Sequence, residues 1–447
     1  MVIFIRVKNI LMNYVLIRNG SIVSSRDIRV GDILIGNNKI IDIAEKISRP
    51  DPDTPVIDAS GKYVLPGAID TSRSFSEFGH LHKDEMLKLC RAEVIGGTTC
   101  MIENLEPNKN LDCIEGVRLA KKRSKENLID YGFHVSLTGW SDFTDKDLTY
   151  CFAHEGITSF YFDSVFEEDK LVELMKKVQS KGLLLLVEVS HPEYKGSGYT
   201  GMSKTYEQSV NDHLNLLRLL LEKTIETKCN VCFLNISFNE EVDLILEAQK
   251  KHKIYAELMQ PCYIGDGMDF VVDDRTIMHG FALSEGLNLI PYSRFWQLLK
   301  DEQFLVSRPT LRVSNVDDDK DNIVFNRPDE YFVLKNALSV LYTSGVSREN
   351  IDIRQFCDII SEKPAKLMRL YPQKGIIRQG SDADVIIWDP DVDRNLYCSY
   401  ASTAGEHITS TKLIGKAQFV FVKGVMAYDG EEFYSEKLKG QFVYQMP

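Results

Sequence analysis

The chain has 447 residues, with 44% hydrophobic and 26% charged residues, a formal net charge of -12 and an isoelectric point near 5.4. Such proportions suit a soluble globular protein long enough for a barrel plus a satellite domain, while the acidic balance argues against a nucleic-acid-binding face, which needs concentrated cationic surface. No apolar run approaches the roughly 20 residues of a membrane span. The Met1–Arg6 stretch lacks a long apolar core and a cleavage site, and the nine cysteines are scattered like reduced core thiols. The expectation is a cytoplasmic protein with no membrane or nucleic-acid partner.

In chain order, the first segment from Met12 sets short apolar runs between Asn19-Gly20 and Gly36-Asn37-Asn38, which predicts short antiparallel strands. The C-terminal part repeats that signature in Ala383–Asp389, Phe419–Gly424 and Val425–Gly430. Two strand-rich ends flanking a long middle predict one small β-sandwich built from residues 12–64 plus 375–440. The middle, residues 65–374, alternates apolar strands with helical patterns. Candidate strands are Thr99–Asn104, Tyr131–Leu137, Ser159–Phe162, Leu183–Val189, Val231–Ile236 and Ile254–Leu258. Candidate helices are Lys83–Val94, Asp169–Lys181, Thr205–Thr227, Glu240–His252 and Glu330–Tyr342. Repeated strand-then-helix units predict an α/β architecture, a closed (β/α)8 barrel with its chemistry at the C-terminal ends of the strands. Asp317–Asp321 reads as a solvated acidic loop.

Several motifs carry more than architecture. They are Pro66-Gly67-Ala68-Ile69-Asp70 leading to Ser72 and Ser74, Gly96-Gly97-Thr98-Thr99, Tyr131-Gly132-Phe133-His134, Gly156–Phe160, Lys363–Leu367, Lys374-Gly375 and Gly380–Pro390. Together they resemble the cyclic amidohydrolases of the dihydropyrimidinase, hydantoinase and dihydroorotase group. The resemblance implies a TIM-like metal-dependent-hydrolase barrel whose two cations activate a hydroxide and polarise an amide carbonyl. It also implies that their ligands, histidines, a carbamylated lysine and an aspartate, fall here on Ser72, Ser74, Tyr161, Glu188, Asn235 and Arg308. None of the six keeps the family's ligand type. Serine is a poor substitute for imidazole on zinc, tyrosine cannot be carbamylated, and an arginine repels cations.

Other residues admit a plain structural role beside a chemical one. His80 and His82 form an H-x-H downstream of the frame and are the weak alternative for a zinc site, though loop or first-helix positions suit them better. His134 lies in an apolar strand and reads as a hydrogen-bonded core histidine, which relatives also carry without using it as a ligand. Glu188, with His191 nearby, and Asp163 are the weak catalytic alternatives; an ion pair of Glu188 with Arg308 filling the vacated site is the preferred reading. Cys229 and Cys232 have C-x-x-C spacing, yet without a second pair they read as core. Gly196–Gly201 reads as a surface loop because it lacks a P-loop lysine.

These readings predict a non-catalytic member of the group, similar in kind to the dihydropyrimidinase-related, collapsin response mediator-like proteins. The expected state is a homotetramer or dimer, or a hetero-oligomer with an active paralogue, acting as scaffold or regulatory subunit without a cofactor. The alternatives are a zinc-dependent or atypical hydrolase of cyclic amides, and a sensor binding a ring compound through Arg308 and Asn235.

Overall fold

A computed structural model describes residues 14–73, 83–105, 107–141, 143–163, 168–189, 206–259, 290–307, 330–402 and 405–445. Its centre is a parallel sheet of eight strands in chain order: β6 (Ala68–Arg73), β7 (Thr98–Leu105), β8 (Asp130–Ser136), β9 (Ser159–Asp163), β10 (Leu184–Glu188), β11 (Asn230–Ile236), β12 (Tyr255–Met259) and β13 (Phe304–Ser307). The eighth strand packs beside the first, which rounds the sheet into a barrel. Helices α1 (Lys83–Gly96), α2 (Cys113–Arg123), α3 (Asp145–Ala153), α4 (Glu168–Ser180), α5 (Tyr206–Thr227), α6 (Asn239–Gln249), α7 (Tyr292–Leu298) and α8 (Glu330–Tyr342) alternate with the strands.

The strands read as near-continuous apolar runs because both of their faces are covered. In β10 all five residues are buried. One phase faces the barrel interior with Ile69, Cys100, Leu184, Leu186, Cys232 and Leu305, and the other packs under the helices with Phe160, Phe162, Val187, Val231 and Phe233. Helix ends follow local chemistry. The Asp112 side chain accepts the Glu115 N–H at 2.8 Å to start α2, and Lys121, Lys122 and Arg123 complement the dipole at its end.

The second sheet holds strands from both ends of the chain: β1 (Tyr14–Val23), β2 (Ile28–Gly36), β3 (Lys39–Ala44), β4 (Val56–Asp58), β5 (Tyr63–Pro66), β14 (Val385–Ser402), β15 (Gly405–Val422) and β16 (Val425–Tyr428). Its order is β16-β15-β14-β5-β1-β2-β3, with β4 beside β1. The ends meet where β5 pairs antiparallel with β14, Val64 opposite Ile387. The expected two-layer sandwich is built as a single curled sheet. A bridge from Lys39 to Asp382 turns its edge back, so Ile17, Ile33, Val64, Val385 and Phe421 share one enclosed core.

Two local readings differ. Asn19-Gly20 is not a turn between strands; it lies inside β1, where the register with β2 shifts between Ile17 and Gly20. Asn19 takes φ +58, as asparagine tolerates, and a Cβ on Gly20 would stand 2.4 Å from Val64 Cγ2. The C-terminal strands β14 and β15 also run far beyond the apolar segments that marked them, pairing from Val385–Phe421 out to Ser402–Gly405.

Candidate functional site

At the C-terminal ends of the central strands three of the substituted positions come together. The ladder sets Leu186 beside Tyr161 and Glu188 beside Asp163, so Tyr161 and Glu188 share the inward phase. The Tyr161 hydroxyl donates to Glu188 Oε2 at 2.7 Å. On the other side Asn235 Nδ2 donates to Glu188 Oε1 at 3.3 Å. Asn235 reaches inward because β11 slips register against β12 between Phe233 and Ile236, with Asn235 at φ +59. Glu188 is 3% exposed, and a carboxylate so buried is held by such donors on both oxygens.

A second polar chain joins β6, β8, β9 and β12. Thr71 Oγ1 donates to Glu257 Oε2 at 3.2 Å, and both are buried. The Thr71 carbonyl accepts from His134 Nε2 at 2.7 Å, while His134 Nδ1 meets Ser159 Oγ at 2.7 Å. Burial lowers the His134 pKa to about 4, so the ring is neutral at pH 7. His134 is thus the hydrogen-bonded histidine its strand suggested. Asp70, which precedes Thr71 in β6, is buried.

The backbones of Ser72 and Asp163 lie in β6 and β9. Ser74, His80, His82, His191, Arg308, Gly196–Gly201 and Asp317–Asp321 lie outside the described residues, and with them the Glu188–Arg308 pair. Cys229 and Cys232 are both buried free thiols, and burial pushes Cys229 up to about 12 and Cys232 well above its usual value.

The described donor set does not fit a pair of zinc ions. Zinc asks for imidazole nitrogen, thiolate or a carboxylate with a lone pair to give. Tyr161 is a phenol spending its proton on Glu188, and Asn235 turns its N–H, not its oxygen, toward the same carboxylate. Among the described residues the one convergence of three carboxylates is elsewhere: Asp130, Asp382 and Asp384 have oxygens within 4.8 Å of one another. Asp130 opens β8, so this cluster sits at the N-terminal ends of the strands, away from Glu188 and its partners. The Lys374 ammonium already stands among the three at 2.7, 3.0 and 2.6 Å. Burial alone would depress that ammonium, but Asp384 and Asp130 outweigh it and hold its pKa well above the usual lysine value.

The amidohydrolase family profile matches residues 316–427. The D-hydantoinase of Geobacillus stearothermophilus is 27% identical over 457 residues, covering 96% of each chain. Human dihydropyrimidinase-related protein 5 is 24% identical, covering 96% of this chain and 80% of its own. The crystal structure of dihydropyrimidinase from Brevibacillus agri superposes with a TM-score of 0.77 at 21% identity, over 97% of this chain and 98% of that one. Along nearly its whole length the chain is similar to dihydropyrimidinases and hydantoinases, and it shares their fold. Glu257, Thr71 and Ser159 were not among the residues expected from the sequence. Glu257 carried a signal, being the lone acid in the apolar run Tyr255–Met259 and in phase with Tyr255. Thr71 and Ser159 carried none, since their roles depend on a histidine from another strand.

Proposed function

We propose that this chain is a catalytically silent, dihydropyrimidinase-like protein that acts through protein contacts as a scaffold or regulatory subunit. The observation that carries the reading is Glu188: both of its oxygens accept hydrogen bonds, from Tyr161 at the bridging-lysine position and from Asn235 at a histidine position. Among the described positions, Tyr161 and Asn235 spend their donors on Glu188 and offer neither imidazole nor carbamate to a pair of cations, and on this reading water there stays unactivated. The likeness to dihydropyrimidinase-related protein 5 supports the same branch. We extend the reading to a cytoplasmic homotetramer or dimer, or a hetero-oligomer with an active paralogue, without zinc. No described helix is long and apolar enough to cross a membrane.

The competing reading is a cyclic amide hydrolase with an atypical site. The likeness to D-hydantoinase over 96% of both chains favours it, because hydrolysis of cyclic amides is the activity of that side of the family. Elemental analysis of the purified protein, paired with turnover of dihydrouracil and hydantoin and with light scattering, separates the two. Substoichiometric metal, no turnover and a stable oligomer are expected. Stoichiometric zinc with turnover that a chelator abolishes overturns the proposal.

A further inference from the structure

Strands β8 and β9 pair at the C-terminal end of β8 and the first half of β9, Val135 with Phe160 and Ser136 with Tyr161. Between the N-terminal part of β8 and the residues that lead into β9, residues 440–445 fill the gap. The Tyr131 N–H donates to the Gln441 carbonyl at 3.0 Å, and the Val443 N–H returns to the Tyr131 carbonyl at 2.8 Å. The Gln445 N–H reaches the Gly156 carbonyl at 3.0 Å. Phe442 bridges Tyr131 in parallel. The inserted segment is tightly seated: a Cβ on Gly440 would lie 1.9 Å from the Ile129 carbonyl oxygen, and Val443 and Gln445 are 4% and 3% exposed.

Gln445 has a further contact. Its Oε1 accepts from the Thr158 N–H at 2.6 Å and the Thr158 hydroxyl at 2.9 Å, which fixes the amide so that Nε2 donates to Ser159 Oγ at 3.2 Å. The Thr71 carbonyl has no proton to give, so His134 Nε2 must carry the hydrogen between them and Nδ1 must be bare. A bare Nδ1 requires the Ser159 hydroxyl to donate to it. Every proton then points one way: Gln445 to Ser159, Ser159 to His134, His134 to Thr71. The Thr71 hydroxyl passes the line on to Glu257.

We infer that residues 440–445 act as an inserted wall strand whose Gln445 is a positioning residue, turning the Ser159 hydroxyl onto His134 Nδ1 and so holding the ring against the Thr71 carbonyl, whose residue in turn meets Glu257. The inference is independent of whether the pocket turns over a substrate. The test uses the full chain labelled with 15N in histidine, the His134 signals being assigned by their loss in His134→Gln. In the unmodified protein at pH 7, His134 is expected as the neutral Nε2–H tautomer; an Nδ1–H or a charged ring overturns the inference. Gln445→Leu and Ser159→Ala are each expected to move the Nδ1 resonance downfield, whereas Tyr444→Ala, at a neighbouring residue 60% exposed, leaves it in place. A folded Gln445→Leu protein with an unmoved resonance overturns it. Should that variant not fold, hydrogen exchange in the unmodified protein decides. The Val443 and Gln445 amides are expected to be protected as strongly as Tyr131, and rapid exchange at the two tail amides overturns the assignment.

Discussion

Lys374 reaches Asp130 at 2.7 Å across the seam between the curled sheet and the base of the barrel, with its ammonium 2% and the carboxylate 0% exposed. Asp130 also pairs with Lys423 at 2.9 Å, and Asp382 with Lys39 at 2.7 Å, so three lysines answer three aspartates. Removing the central cation leaves buried carboxylates facing one another. Lys374→Met is expected to cost about 3–5 kcal/mol, read by chemical denaturation. Because the folded pKa of Lys374 is raised, its contribution is complete below the unfolded lysine value and is lost only as pH climbs through the folded one. A variant as stable as the parent at neutral pH refutes the clamp.

His134 gives the opposite sign on the acid side. Its pKa falls from 6.5 to about 4 in the fold through burial, against which the Thr71 carbonyl acts. Between those values the unfolded chain binds a proton that the native ring refuses, so stability declines as pH drops from 6.5 toward 4. The decline from this group is at most about 1.4 kcal/mol per pH unit, about 3 kcal/mol in all. Urea midpoints at closely spaced pH values are expected to show a shallower slope in His134→Gln. Equal slopes would remove His134 from the account of acid lability.

Asn235 combines a left-handed backbone with a hydrogen bond to Glu188. Asn235→Gly keeps the backbone freedom and loses the bond, while Asn235→Ala loses both, adding about 1–2 kcal/mol for the left-handed conformation. Thermal unfolding is expected to rank Asn above Gly above Ala. An alanine variant more stable than the glycine one would place the strain elsewhere.

Tyr161→Phe removes the hydroxyl that donates to Glu188. A hydrogen bond to a charged partner is worth about 1.5–3 kcal/mol, and that loss is the expected destabilisation. The complementary change Glu188→Gln in the Tyr161→Phe background is expected to cost less than the sum of the two single changes. Strict additivity in this cycle would show that the two side chains do not interact.

Cys229 and Cys232 test the C-x-x-C spacing directly. With both thiols buried and their pKa values raised, little thiolate exists for a reagent to find. Mass spectrometry after brief alkylation of the native protein is expected to leave both unmodified, with full labelling in denaturant. Rapid native labelling of either would reopen a redox or metal role.

Much of the barrel was legible because buried parallel strands and amphipathic helices write different periods into the chain. Leu184–Glu188 and Glu330–Tyr342 are near or identical to the expected spans. Helix α3 escaped because its Asp145–Ala153 sequence mixes polar and apolar residues with only Leu148 and Cys151 buried. The outer half of β14 and β15 escaped for a related reason: Asp391-Val392-Asp393-Arg394-Asn395 lacks the apolar alternation that marks a half-buried strand. At the pocket, alignment to a family frame located Tyr161, Glu188 and Asn235, but it had no means of finding Glu257 or Gln445. Those two matter through partners 186 and 286 positions away in sequence, and such proximity is created only by folding.

The inserted wall strand also orders events during synthesis. Residues 440–445 are made after every barrel strand, yet they complete the hydrogen bonding between the start of β8 and the residues that lead into β9. A nascent chain that has finished β13 therefore has a ring with an open slot in its third and fourth staves. Until residues 440–445 emerge, that slot exposes backbone amides to any extended peptide nearby, and the late-arriving segment is what shuts it.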